Sequence, residues 1–293
     1  MTWLHALLLG IIEGLTEFLP VSSTGHLILL GNQLGHDDDA AKTLEVVVQL
    51  GAVVAVVVYF RARLGVLLRG LLARKPEELR LGAAVMIAFF PAAVLGLLFH
   101  KKIEEKLFAP VPVAIALIAG GVLMIGIERY RARRGDPGED GLEKVTFRRA
   151  LHIGLAQCFS LWPGTSRSMT TIVGGQLSGL STPTAADFSF LLAIPTLGAA
   201  TLYKLVKSGR GVLAMEGGAT ALIVGTVVSF VVALVVIAAF LRFLKRFGLL
   251  PFGVYRILLG ALVLVLASRG MIPGQHAEQA GDKAAAPASS AHQ

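Results

Sequence analysis

The stretch GIIEGLTEFLPVSSTGH, residues 10–26, decides how the rest of the chain is read. It lies in an apolar setting, yet it holds two carboxylates (Glu13, Glu17), a histidine (His26) and four hydroxyls (Thr16, Ser22, Ser23, Thr24). No lysine or arginine precedes Lys42, so the carboxylates have no local cation. One charge at the centre of a membrane helix costs roughly 2.5 to 3.5 kcal/mol on insertion scales. A chain accepts that cost when the group is paired or performs a function. The candidate partner is QCFSLWPGTSRS, residues 157–168, where Arg167 is the only cation between Arg149 and Lys204.

The medium around both stretches follows from composition. Apolar residues make up 55% of the 293 and charged residues 16%, against roughly 25% charged in an average soluble domain. Uncharged runs at 81–100, 107–127 and 217–241 each have about the 20 residues that cross a hydrocarbon core. The class is therefore an all-α polytopic membrane protein; a very apolar soluble helical protein is disfavoured because these runs lack charged faces. The net charge of +8 points to the lipid bilayer as partner, with no nucleic acid, because of its distribution. Basic residues crowd into Arg61–Arg80, Arg129–Arg149 and Arg242–Arg246, which marks them as cytoplasmic loops. The acidic loop Asp37–Asp39 and the mixed loop Lys101–Lys106 fall on the other side. The single cysteine, Cys158, excludes an internal disulfide and reads as a packing residue. The apolar N-terminus lacks a basic n-region and a cleavage site and reads as retained.

Taken in order, residues 3–12 are too short to span, 13–26 are polar, and apolar residues resume at 27–34. This describes a re-entrant hairpin, tolerated at membrane depth where it lines a cavity or is buried in protein. Spans follow at 44–60, 82–100 (with Pro91 as a candidate kink) and 110–128. Residues 150–180, broken at Pro163-Gly164, form a second hairpin, and spans follow at 185–203, 217–241 and 252–268. The architecture is thus about six transmembrane helices plus two re-entrant helical hairpins. It makes a single membrane domain over 1–270, with repeats at about 1–130 and 150–268, and the tail 271–293 reads as disordered. Three spans after each hairpin is an odd number, so the second half lies inverted relative to the first. The echoes GIIE/GLAQ (10–13, 154–157), FLPVSS/LWPGTS (18–23, 161–166) and QLGAVV/TLGAAT (49–54, 196–201) agree. Inverted repeats with broken helices place a binding site at their junction.

Glu13 and Glu17, at i and i+4, share one helix face. The pair suits a metal, a shared proton or an arginine; a pair facing solvent at a hairpin mouth is the plainer alternative. Pro20 stops that helix, and Ser22, Ser23 and Thr24 are good N-caps for the next. A helix N-terminus with hydroxyls is also an anion site, and a serine near Glu17 and His26 has a nucleophile's surroundings. His26 suits general acid/base work, against the plainer role of a hydrogen-bonded packing residue. Arg167 stands among Thr165, Ser166, Ser168, Thr170 and Thr171, and an arginine fork binds phosphate through two parallel bonds; it could equally be the counter-ion of Glu13 or Glu17. Glu45 and Gln49 share a face of the first span. Tyr255 and Arg256 read as membrane-edge anchors. There is no nucleotide-binding P-loop and no zinc-type Cys/His cluster.

The motifs E-G-L-T-E-F-L-P-V-S-S-T-G-H (13–26) and P-G-T-S-R-S (163–168) resemble the two signature motifs of the bacterial undecaprenyl-diphosphatases, the bacitracin-resistance family. The likeness extends to E-V-V-V-Q-L-G-A (45–52), D-F-S-F-L-L-A-I-P (187–195) and Y-R (255–256), and covers all but the tail. It implies removal of the terminal phosphate of undecaprenyl diphosphate, which regenerates the lipid carrier of peptidoglycan synthesis and cell-wall biogenesis. It also implies a divalent cation (Mg2+ or Ca2+), a multi-pass place in the inner membrane with the site open to the periplasmic side, and bacitracin resistance. The oligomeric state stays open, a homodimer included. Carried over residue by residue, the family's functional positions fall on Glu13, Glu17, Ser22, Ser23, His26, Ser166 and Arg167. Joined to the reading of the residues themselves, Glu17, Ser23, His26 and Arg167 are expected to be catalytic, Ser22, Thr24, Thr165, Ser166, Ser168 and Arg167 to bind substrate, and Glu13 and Glu17 to hold the metal. Either Ser23 or His26 is the nucleophile, and either Glu17 or His26 takes the serine proton. Met169 departs from the family, which usually has glycine after S-R-S, and this puts the local backbone in question. The competing reading is a transporter or flippase of the lipid carrier, since inverted repeats are also a transporter plan. The phosphatidic acid phosphatase type of enzyme is disfavoured: its P-S-G-H reads S-T-G-H here, and no histidine follows Arg167 at five residues.

Overall fold

The computed structural model describes residues 3–27, 39–214 and 217–272. Within them the chain is helical: α1 (Trp3–Thr16), α2 (Asp39–Tyr59), α3 (Arg61–Leu72), α4 (Pro76–Leu107), α5 (Pro110–Arg134), α6 (Phe147–Cys158), α7 (Arg167–Leu177), α8 (Thr182–Ala214), α9 (Gly218–Phe247) and α10 (Leu250–Ser268), with short 3-10 turns at Leu142–Lys144 and Phe159–Leu161. Most of the return arm of the first hairpin expected at 27–34, the acidic loop, the side chain of Glu45 and the tail from residue 273 lie outside the described residues.

Five of the described helices are long and apolar enough to cross a membrane, six if the bent pair α2–α3 counts as one. The spans begin where sequence capping rules allow. Pro76 and Pro110 open α4 and α5, and α5 closes on Gly135 at φ +61°, the left-handed C-cap that glycine adopts without a Cβ penalty. α4 runs through Pro91 and α8 through Pro195 as continuous helices.

Two expectations need correction. The Arg61–Arg80 segment is not a loop: α3 bends 74° away from α2. Its Val66, Leu68 and Leu72 are exposed. Arg63 ties it to Glu78 of α4 at 2.8 Å. The first helix also extends four residues beyond Ile12. Thr16 Oγ1 donates back to the Ile12 carbonyl (2.7 Å) and the Glu17 N–H reaches the Glu13 carbonyl (3.0 Å), so Glu13 is helical.

The helices pack across the two halves of the chain. α1 lies on α9, α6 on α4, α2 on α8 and α5 on α10. Exchanging α1 with the α6–α7 hairpin, α2 with α8, α4 with α9 and α5 with α10 maps these contacts onto themselves. Small residues permit the approach, as between membrane helices generally. A Cβ on Gly10 would meet the Gly225 carbonyl at 2.6 Å, and one on Gly154 the Ala88 carbonyl at 2.6 Å. These two glycines open the echoed segments GIIE and GLAQ.

The basic segments meet at one end of the bundle. Arg63 and Arg80 line a cleft with Glu143 and Asp187. Gly248, just past Arg242–Arg246, sits against the Glu128 carboxylate beside Arg129–Arg134.

Candidate active site

The two hairpins meet inside the protein. In the first, α1 ends, residues 17–21 turn, and Ser22 at φ +71° starts the helical stretch 23–27; its Oγ accepts the Gly25 N–H at 3.3 Å. In the second, Phe159–Leu161 and the Pro163-Gly164 turn lead to Ser166 at φ +72°, whose Oγ accepts the Met169 N–H at 3.3 Å. Both serines are N-caps, at helix starts whose first N–H groups have no intrahelical partner.

The residue after each cap reaches Glu17. Ser23 Oγ donates to Glu17 Oε2 at 3.0 Å, and Arg167 Nη2 stands 3.6 Å from Glu17 Oε1. Glu13, Glu17 and Arg167 are all buried. Arg167 is held from behind: Nη1 donates to the Ser189 carbonyl (3.1 Å) and to Ser189 Oγ (3.4 Å), and the guanidinium lies 5.7 Å from the buried Phe18 ring. Its Nε and Nη2 donors have no hydrogen-bond partner among the described residues; at 3.6 Å the contact with Glu17 is a charge contact. Buried donors of this kind normally find acceptors, so the guanidinium presents two open N–H groups in a low-dielectric site.

His26 faces elsewhere. Nδ1 is 2.7 Å from the Ser22 carbonyl and Nε2 is 2.6 Å from the Tyr255 hydroxyl, with the rings stacked. A carbonyl only accepts, so in the neutral ring Nδ1 carries the hydrogen and Nε2 accepts from Tyr255. The lone pair is thus directed at Tyr255, and the serine bonded to a base is Ser23, through Glu17.

Among the other candidates, Ser168 Oγ donates to the Leu19 carbonyl at 2.9 Å and lies 3.0 Å from Ser166 Oγ, sewing the second hairpin to the first. Thr24 and Thr165 are half-buried beside the caps. Thr170 and Thr171 bond back to the Arg167 carbonyl. Met169 sits in ordinary helix and is 2% exposed, so the departure from the family fills core space and leaves the turn intact. Cys158 bonds back to the Gly154 carbonyl, a packing role.

For a metal, no group of three His, Cys, Asp or Glu side chains gathers among the described residues. Glu13, Glu17 and the Ser23 hydroxyl are hard oxygen donors at one end of α1. That set fits Mg2+ or Ca2+ of the kind held by one or two carboxylates with phosphate oxygens supplying the rest.

Sequence reasoning misplaced Arg256, which is not an edge anchor; Tyr255 beside it is exposed and meets His26. Arg256 is fully buried, donating through Nη1 to the Pro20 carbonyl (3.2 Å) and through Nη2 to those of Ala116 (3.1 Å) and Gly164 (2.8 Å). The available signal was the one used for Arg167: Arg256 is the only charged residue from 247 to 268. Gly120, whose missing Cβ admits this guanidinium, lies ten residues into α5, about 15 Å along a 25-residue helix. The junction is therefore near mid-bundle.

Comparison with known proteins gives the family. Residues 6–262 match the family described as bacitracin resistance protein BacA. The chain is 69% identical over 266 residues to an undecaprenyl-diphosphatase of Sorangium cellulosum (strain So ce56), covering 91% of this chain and 87% of that one. It is 47% identical over 271 residues to one from Caldanaerobacter subterraneus subsp. tengcongensis (92% and 97%) and 46% identical over 275 residues to one from Nitrosomonas europaea (93% and 98%). With its fold, its paired hairpins and a match along nearly its whole length, the chain belongs to the bacitracin resistance protein BacA family.

Proposed function

We propose that this protein is an undecaprenyl-diphosphatase: it hydrolyses undecaprenyl diphosphate to undecaprenyl phosphate and inorganic phosphate within the membrane. The observation that carries the reading is the convergence of Ser23 and Arg167, from hairpins about 145 residues apart, on the two oxygens of one buried carboxylate. Phosphoryl transfer needs mainly positioning and electrostatic stabilisation, and the junction supplies both.

The diphosphate enters with its oxygens on Arg167 Nε and Nη2 and on the N–H groups of the two capped helices. Ser23 Oγ attacks the terminal phosphorus while Glu17 Oε2 takes its proton, the arrangement of an activated nucleophile. The Oγ–P bond forms, the anhydride P–O bond breaks, and its electron pair leaves with the lipid monophosphate. Water then adds to phosphorus, the P–Oγ bond breaks, Oγ recovers the proton from Glu17, and both hydrogens of the water depart with inorganic phosphate. The engagement of His26 with Ser22 and Tyr255 supports Ser23 over His26 as nucleophile and Glu17 over His26 as base. A divalent cation held by Glu13 and Glu17 would neutralise charge on the diphosphate. The lipid tail stays in the bilayer, so a site near mid-bundle comes to the head group. The basic ends of the helices face the cytoplasm, and the site opens to the periplasmic side of the inner membrane, where the released carrier re-enters peptidoglycan synthesis and where overproduction confers bacitracin resistance.

The test is phosphate release from undecaprenyl diphosphate by detergent-purified protein, with and without chelator. Release that chelator suppresses and Mg2+ or Ca2+ restores is the expected result. Transport of the lipid without phosphate release would overturn the reading.

A further inference from the structure

Arg256 carries no step in the mechanism above, yet it is a fully buried guanidinium at the junction of the two hairpins. Its acceptors fall in a pattern. Pro20 lies two residues before the cap Ser22, and Gly164 two residues before the cap Ser166. Since the caps share conformation and hydrogen bonding, the two carbonyls occupy the same place in the two turns. The third acceptor, Ala116, belongs to α5, which packs on the helix that bears Arg256.

We propose that Arg256 is a positioning residue for the phosphatase reaction: one guanidinium pins the equivalent carbonyl of each hairpin turn, and this sets the separation of Ser23 and Glu17 from Arg167. The proposal rests on the phosphatase reading. Turn carbonyls at membrane depth have no water to bond and must find donors inside the protein. A planar fork reaches three acceptors in fixed directions, whereas an ammonium on a flexible stem holds no such geometry. The surroundings keep the fork in place. A Cβ on Gly120 would stand 2.4 Å from Arg256 Nη2 and 2.8 Å from Met169 Cε, so glycine there and methionine beside it shape the slot. The second seam, Ser168 Oγ to the Leu19 carbonyl, joins the same two turns but leaves their tips to Arg256. Arg167 differs at its terminal nitrogens: both residues have a buried Nε without a hydrogen-bond partner among the described residues, but Arg167 also leaves Nη2 open to a ligand while Arg256 has both terminal nitrogens engaged.

The experiment measures kcat and KM for undecaprenyl diphosphate on purified variants. A displacement of order 1 Å at a reacting centre can cost about 100-fold. Arg256→Lys is therefore expected to lower kcat about tenfold or more with KM within about twofold, the split of a group acting only on the reacting geometry. Arg256→Ala is expected to regain activity with added methylguanidinium and not with methylammonium. Gly120→Ala, which keeps every charge and crowds the fork, is expected to lower kcat in the same way, and it decides the matter alone if the Arg256 variants do not fold. Wild-type kcat in Arg256→Lys or in Gly120→Ala overturns the inference. So does a rise in KM matching that of Arg167→Lys, which would make Arg256 a substrate ligand. In each of those cases the unaltered protein still releases phosphate; if it releases none, the phosphatase reading itself fails and this inference with it.

Discussion

Ser22 and Ser166 are conformational twins: φ is +71° at one and +72° at the other, and each hydroxyl accepts the N–H three residues on at 3.3 Å. The sequence echo FLPVSS/LWPGTS pairs Ser166 with Ser23 instead, one position off. The structural match makes Ser23 and Arg167 counterparts, and both reach Glu17. Two copies of one turn thus bring a hydroxyl from one side and a cation from the other to one carboxylate.

A non-glycine residue at such positive φ carries strain of order 1–3 kcal/mol, offset here by the cap. Ser166→Ala keeps a Cβ at positive φ and loses the cap, so it should destabilise by about 1 kcal/mol. Ser166→Gly loses the same cap but relieves the strain, and should unfold at a higher temperature than Ser166→Ala. Thermal unfolding in detergent checks the order.

Glu17→Gln removes the carboxylate that accepts the Ser23 hydrogen bond and the charge facing Arg167. Loss of a general base costs about 100- to 10,000-fold, and phosphate release should fall by that much. Ser23→Ala should abolish the trapped phospho-enzyme altogether. Label recovered on histidine, or near-normal turnover of Ser23→Ala, would rule out the serine route.

Arg167→Lys keeps a positive charge but loses the fork that grips Ser189 while presenting Nε and Nη2 forward. A lysine cannot do both. The expected result is a raised KM together with a kcat lowered about 100-fold, read from steady-state kinetics.

Tyr255→Phe removes the hydroxyl that occupies His26 Nε2. A hydrogen bond of this kind is worth about 1 kcal/mol, so the expected effect on kcat/KM is about fivefold. Because the two residues form one unit, Tyr255→Phe should add little in a His26→Ala background. A double-mutant cycle measures the coupling, and strict additivity would refute it.

Outside the spans, Glu139 accepts a hydrogen bond from Arg149, and that bond, with the charge of Arg149, holds its carboxyl below the usual carboxylate range. A carboxyl depressed in the folded state contributes stability above its unfolded pKa, about 4.3, and loses it as pH falls through the lower folded value. The thermal-stability advantage of the wild type over Glu139→Gln should therefore be full at neutral pH and shrink below about pH 4.

The chain alone determined that this is a helical membrane protein built around two interrupted segments, because uncharged runs of spanning length and charged groups without local partners are visible in one dimension. It also pointed to Glu17, Ser23 and Arg167, since lone charges and hydroxyl runs in hydrocarbon are costly and therefore conspicuous. The helical nature of the Arg61–Leu72 segment, the direction in which His26 presents its lone pair and the burial of Arg256 beneath both turns were decided by the tertiary structure. Each depends on which backbone carbonyls come within reach, and Pro20, Ala116 and Gly164 become neighbours of one guanidinium only when helices from opposite halves of the chain pack together.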